Sequence, residues 1–231
     1  MNKYKTELHC HSMEISECAE VSIPEIIEKY TSYGYTSLVL TNHLWSWDCK
    51  DDFDKYKKKV EDMFAVCDMA RALAGDRLHI INGVELALND GNDYLLYGVT
   101  KEFLLSEKDI SSLITQQLKD KANAAGIIVI HAHPLRFGQW HLPPEEIDGY
   151  EIYNGHPEAQ SNNDAAELIF TRLKGKILTS GSDFHYHHHI PRAGIATDKP
   201  ITCMEELMAT LRSGDYSIIK DGVITDITQI R

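Results

Sequence analysis

Short, almost unbroken apolar runs alternate along this chain with longer stretches in which apolar residues recur at helical spacing. Tyr4 to Leu8 reads as a strand that runs into His9-Cys10-His11. Ser22-Ile23-Pro24-Glu25 has capping-box spacing with proline inside the first turn, which predicts a helix to about Tyr33, stopped at Gly34. Ser37 to Leu40 is the next strand and ends in Thr41-Asn42-His43. Between Asp52 and Ala74, Phe53, Tyr56, Val60, Met63, Phe64 and Cys67 trace one helix face, and Gly75 closes the helix. Leu78 to Val84 is a strand that delivers Glu85, and Leu86 to Gly98 reads as a hairpin turned at Asn89-Asp90-Gly91-Asn92, where Asp-Gly supplies positive φ. The second half continues with a helix at Ile110–Ala125, a strand at Ile127–Ile130 entering His131-Ala132-His133-Pro134, and a strand at Gly149–Tyr153 containing Glu151. A helix at Asn163–Lys174, a strand at Ile177–Ser180 entering Gly181-Ser182-Asp183-Phe184-His185, and a capped helix from Thr202 to about Arg212 complete it.

No repeat or linker interrupts the series, so residues 1–231 are expected to form a single α/β domain, a mostly parallel sheet closed by helices into a barrel. At 43% hydrophobic content, one sizeable core is sufficient. Met1 to Leu8 lacks the apolar run of a signal peptide and no later stretch could cross a bilayer, which predicts a cytoplasmic protein without membrane contact. Five cysteines (Cys10, Cys18, Cys49, Cys67, Cys203) show no C-x-x-C pair and are expected as reduced thiols. The formal charge of −12 disfavours long phosphate-backbone contacts, so nucleic acid is not the expected partner. Bound cations would offset that charge locally, which keeps a small anionic substrate open.

In a parallel α/β sheet the carboxyl ends of the strands converge on one face, where the following loops build the site. Nearly every strand above ends in a metal-binding residue type, so His9, His11, His43, Glu85, His131, His133, Asp183 and His185 are expected to meet in space. Residues i and i+2 of a strand share a face, which lets His9 and His11 serve one ion while Cys10 points away. The same spacing relates His131 to His133 and Asp183 to His185. One strand-end histidine is ordinarily a packing residue, but three such pairs are hard to explain by packing. Mixed imidazole and carboxylate donors suit zinc, manganese or iron. His187-His188-His189 reads as an exposed polar loop beside the site.

With H-x-H, T-N-H, G-V-E-L, H-P and S-G-S-D-x-H in that order, from His9 to about Ile195, the chain resembles the polymerase and histidinol phosphatase (PHP) superfamily. The resemblance implies a distorted (β/α)7 barrel with two or three divalent ions. Carried over by motif, it implies a first ion on His9, His11, Glu85 and Asp183, and a second shared by Glu85 and His133. A third would take His43 and His185, with Glu17 standing where the family often supplies another ligand. Asn42 replaces the aspartate of the second motif, and Thr100 stands where some members have a further histidine; His131 is the expected substitute.

The function this implies is a metal-dependent phosphoesterase acting on a small phosphate monoester. Two cations roughly 3.5 to 4 Å apart would hold a bridging hydroxide for attack on phosphorus. Arg136 or Arg192 is expected to grip the phosphate, with a surface ion pair as the alternative for each. Glu85 and Asp183 act as catalytic ligands; His156 is one candidate to protonate the leaving group and the third-site ligands are another, while Glu151 orients a ligand. Trp45, Trp47 and Trp140 either stack on a substrate ring or cap the core. The alternatives are a metal-dependent exonuclease, a non-catalytic metal-binding regulatory module, and an amide hydrolase.

Overall fold

The computed structural model describes residues 4–48, 52–140 and 142–230. Cys49 therefore lies outside the described residues, and Cys10, Cys18, Cys67 and Cys203 are free thiols. The strands are β1 (Tyr4–Cys10), β2 (Tyr35–Leu40), β3 (His43–Leu44), β4 (His79–Ala87), β5 (Asp93–Tyr97), β6 (Ile128–His131), β7 (Gly149–Asn154), β8 (Ile177–Gly181), β9 (Gly194–Thr197), β10 (Ser217–Lys220) and β11 (Val223–Asp226). The helices are α1 (Ile23–Ser32), α2 (Phe53–Ala74), α3 (Lys101–Leu104), α4 (Thr115–Ala124), α5 (Asn163–Phe170), α6 (Met204–Ser213) and α7 (Ile227–Ile230).

Local signals act where the sequence places them. Ser22 and Glu25 close the capping box of α1, the Ser22 N–H donating to Glu25 Oε2 at 3.0 Å. On α2, Tyr56, Val60, Met63, Cys67, Ala70 and Ala74 form one buried stripe. The expected helix from Ile110 is split: Asp109 caps a single 3₁₀ turn at Ile110–Ser112, and α4 begins only at Thr115.

The strands hydrogen-bond in the order β11-β10-β9-β1-β2-β4-β5-β6-β7-β8, with β3 attached to β4. This corrects the expected seven-stranded (β/α)7 barrel: the chain forms a curled mixed sheet. The β4–β5 hairpin turns the chain back, so β5 runs antiparallel to both β4 and β6. At the other edge β9 pairs antiparallel with β1, β10 with β9 and β11 with β10, where a (β/α)7 barrel would have only parallel strands. A hairpin cannot occur in an all-parallel barrel, since parallel neighbours need a crossover connection.

Curling brings the end of β8 back to β1, where Cys10 and Phe184 form a parallel bridge. Gly181 permits that approach, because a Cβ there would stand 2.3 Å from His9 Cβ and 2.6 Å from Glu151 Oε1. The enclosed core includes Leu8, Val39, Val84, Leu96, Ile130, Ile152 and Leu178, and a second cluster around Tyr30, Leu38 and Phe184 lies under α1. Among the described residues no helix is long and apolar enough to cross a membrane.

Candidate metal centre

Strand direction decides which side chains meet. β1 ends at His9 and Cys10 and continues to His11, β3 opens with His43 opposite Glu85 of β4, and the loop after β8 carries Asp183 and His185. Four of these form a buried quartet. His9 Nε2 lies 3.3 Å from Glu85 Oε1 and 3.4 Å from Asp183 Oδ1; His11 Nε2 lies 3.3 Å from Glu85 Oε2 and 3.4 Å from Asp183 Oδ1. Ligands about 2.0–2.1 Å from a tetrahedral zinc stand about 3.3–3.4 Å from one another, the spacing found here. His9 Nε2, His11 Nε2 and Glu85 Oε2 are buried without a hydrogen-bond partner. Buried polar atoms are rarely left so, and a divalent cation would satisfy all three.

Two further groups adjoin the quartet. Glu85 Oε1 also lies 3.0 Å from His133 Nε2, which is 4.0 Å from Asp93 Oδ2, and these three residues could hold a second ion. Burial and the charge of Glu85 push the Asp93 carboxyl up, a conflict that a shared cation would relieve. On the other side, His43 and His185 bring their Nε2 atoms to 3.4 Å, with His11 in the same group.

The charge balance of the cluster is tight. Burial opposes ionisation of Glu85, but the charges of His9 and His43 outweigh it and hold its carboxyl well below the usual range. Asp183 is lowered in the same sense, by His9 and Arg136. His9 is raised well above an ordinary imidazole despite its burial, by Asp183, Glu85 and Glu151, whereas burial and the neighbours His185 and His43 push His11 down. Surrounding residues fix orientation: Glu151 Oε1 lies 2.9 Å from His9 Nδ1, and Glu151 Oε2 accepts the His133 N–H at 2.9 Å. Asn42 Oδ1 accepts from Ser12 N–H at 2.8 Å and Ser16 O–H at 2.9 Å, and Ser16 Oγ is 3.3 Å from His11 Nδ1.

The remaining sequence candidates fall elsewhere. Glu17 is exposed and outside these groups, whereas its neighbour Cys18 is half-buried beside His43 and His185. His131 is fully buried with its ring 5.8 Å from that of Tyr94, on the core side of β6, because His133 takes a φ of 30° and breaks the strand alternation. The residue that stands beside His133 and Glu85 is instead Asp93, which sequence reasoning missed. Arg136 donates to Asp183 Oδ2 at 2.7 Å, to Asn154 Oδ1 at 3.0 Å and to Ser161 Oγ at 3.3 Å, so it positions Asp183. Arg192 pairs with Asp221 Oδ1 at 3.4 Å, toward the β10–β11 turn.

His156 lies beside the cluster, its ring 5.5 Å from that of His185, and burial lowers its pKa to about 4. With Glu158 and His189 it makes a fourth group of ligand-type atoms. There the His185 N–H donates to His189 Nδ1 at 3.1 Å, so the ring proton sits on Nε2, 3.0 Å from Glu158 Oε2. Such a histidine has no lone pair left for a cation, and the group reads as a clasp between two loops.

No family model matches the chain, and no curated protein sequence matches it. Solved structures do. PsfC from Pseudomonas syringae PB-5123 superposes with a TM-score of 0.66 at 15% identity, over 95% of this chain and 92% of that one. Endonuclease Q, in complex with a 27-mer duplex substrate with an abasic lesion at its active site, gives 0.62 at 15% identity; 91% of this chain covers 56% of that one, so the match spans just over half of the endonuclease. A sulfate-bound, metal-free amidohydrolase from Chromobacterium violaceum gives 0.53 at 15% identity over 94% of this chain and 98% of that one. The chain thus shares a fold with these proteins, and on it carries buried groups able to hold metal ions. The expectation that nucleic acid is an unfavoured partner is corrected by Endonuclease Q, a chain of this fold with a DNA substrate. Charge summed over a whole chain, −12 here, does not report the field inside one pocket.

Proposed function

We propose that the protein is a metal-dependent hydrolase of the PHP type that cleaves phosphoesters, with a nucleotide or nucleic-acid diester as the favoured substrate class. The observation that carries the reading is the buried quartet of His9, His11, Glu85 and Asp183, at tetrahedral spacing, in which His9 Nε2, His11 Nε2 and Glu85 Oε2 have no hydrogen-bond partner. These four would hold one cation, Glu85 with Asp93 and His133 a second, and His43 with His185 a third. Bound there, the ions would lower the pKa of water and offset charge on the phosphoryl oxygens.

The chain's own residues favour a diester over a monoester. Both arginines expected to clamp a phosphate dianion are engaged, Arg136 with Asp183 and Arg192 with Asp221. A diester carries one negative charge and needs less compensation. An aromatic stack also lines the rim: Trp45 lies on His43 at 4.7 Å between ring centroids, Trp47 on Trp45 at 4.6 Å, and Trp47 is 60% exposed. An exposed indole joined by stacking to a site histidine suits a nucleobase. His156 stays uncharged at neutral pH, and Glu158 N–H donates to its Nδ1 at 3.3 Å, which leaves the proton on Nε2. It would serve the departing oxygen as a hydrogen-bond donor and not as an imidazolium acid.

The test is hydrolysis by chelator-treated protein reloaded with manganese or zinc. Bis(p-nitrophenyl) phosphate, p-nitrophenyl phosphate and end-labelled single-stranded and duplex DNA are the substrates. Metal-dependent turnover that prefers diesters supports the reading. Turnover of the monoester alone moves the substrate to small phosphorylated metabolites, and no metal-dependent hydrolysis of any of them overturns the proposal.

A further inference from the structure

The outer pair of imidazoles lacks a partner that the loop before α1 can supply. His185 Nδ1 donates to the Asp183 carbonyl at 2.9 Å, and His43 Nδ1 lies 2.9 Å from Glu85 Oε2. Each ring therefore directs Nε2 at the other, 3.4 Å away. Two such nitrogens at that distance need a proton or a cation between them. His11 is the other member of the group, but its one unpartnered nitrogen already stands 3.3 Å from Glu85 and 3.4 Å from Asp183, committed to the quartet. A cation on His43 and His185 is thus short of a protein ligand.

Backbone contacts settle what lies above that pair. Ser16 Oγ accepts the His43 N–H at 3.0 Å, and the Glu20 N–H donates to the His185 carbonyl at 2.9 Å. The loop is pinned at His43 and at His185 on the two sides of Cys18, which sits half-buried beside the pair. Glu17, one residue away, points to solvent.

We propose that Cys18 is the third protein ligand of the outer cation, giving a His43, His185, Cys18 set that prefers zinc to magnesium or manganese. Sulfur is a soft donor, and thiolate selects zinc where carboxylate and water suit magnesium and manganese. On binding, the thiol releases its proton to solvent and the sulfur lone pair bonds the cation, with no change in oxidation state. The proposal rests on the metal-centre reading above, and the test separates the two.

Metal-free protein is titrated with cobalt(II), which reports nitrogen and oxygen ligation in the visible and thiolate ligation as a charge-transfer band in the near ultraviolet. The expected result is both signals in the native protein, with Cys18→Ser losing the charge-transfer band and one equivalent of metal while keeping the visible absorption. Visible absorption without a charge-transfer band in the native protein, or the same band in Cys18→Ser, overturns the proposal and leaves the quartet standing. No cobalt absorption at all overturns both. Should Cys18→Ser not fold, the native protein gives an independent answer through alkylation by iodoacetamide, mapped by mass spectrometry. Zinc is expected to slow alkylation of Cys18 by at least about tenfold, since the free thiolate is the reactive form, and magnesium to leave it unchanged. Equal alkylation with and without zinc refutes the assignment.

Discussion

Replacing Glu85 by glutamine is the most informative single substitution. Its two oxygens lie 2.9 to 3.3 Å from ring nitrogens of His9, His11, His43 and His133, and it belongs both to the quartet and to the group with Asp93. Glutamine keeps the volume and removes the charge. Losing a residue that merely orients a metal ligand costs about 10- to 100-fold in affinity, so losing a carboxylate common to two groups should cost at least about 100-fold. A cation present at 100 times its dissociation constant stabilises a protein by about 2.7 kcal/mol, and at one times that constant by about 0.4 kcal/mol. For a chain of this size each kcal/mol moves Tm by about 2–4 °C. Saturating zinc should therefore raise the native Tm by about 5–11 °C and that of Glu85→Gln by no more than about 2 °C. Melting followed by circular dichroism, with and without zinc and with a chelator control, measures both. An equal zinc-induced rise in the two proteins would refute the placement of Glu85 at the heart of the metal centre.

Other consequences can be checked in the same preparations. Asp93→Asn should lower metal content by about one equivalent, whereas His131→Phe should leave it unchanged; plasma mass spectrometry of desalted protein distinguishes them, and a loss on His131→Phe would contradict its position in the core. Burial holds His156 neutral with a pKa of about 4 against an ordinary 6.5. Its contribution to stability is thus complete above pH 6.5 and lost as pH falls toward 4, so the metal-free native protein should lose Tm faster than His156→Gln across that window. Parallel Tm profiles would show that His156 carries no such burden. Trp47→Ala should raise KM for a dinucleotide by about 5- to 150-fold, the worth of one base stack, with KM for an aliphatic diester unchanged.

Much of the centre was legible because strands have a period of two and a direction. His9 and His11 share a face across Cys10, and parallel β1 and β8 end on the side where Glu85 sits, so the quartet follows from spacing and strand polarity. Asp93 escaped because it opens a strand. Only in an antiparallel strand does the first residue fall on the face where parallel strands end, and β5 is antiparallel through the Asp90-Gly91 turn that the sequence does display. His131 does not share the site face with His133, because strand alternation does not carry through His133, whose positive φ ends the strand geometry. Cys18 sits in a loop, where no periodicity says which of two adjacent residues faces inward. The β10–β11 hairpin had its own signal, Asp221-Gly222 with φ of 49° and 80° between apolar runs, and reading it would have argued against an all-parallel barrel.

Diffraction from zinc-soaked crystals, recorded at the zinc absorption edge, tests the central claim most directly. The account predicts an anomalous peak about 2.0–2.2 Å from His9 Nε2, His11 Nε2, Glu85 and Asp183, with further peaks beside His133 and beside His43. Fully ordered side chains with no anomalous peak among His9, His11, Glu85 and Asp183 would contradict it.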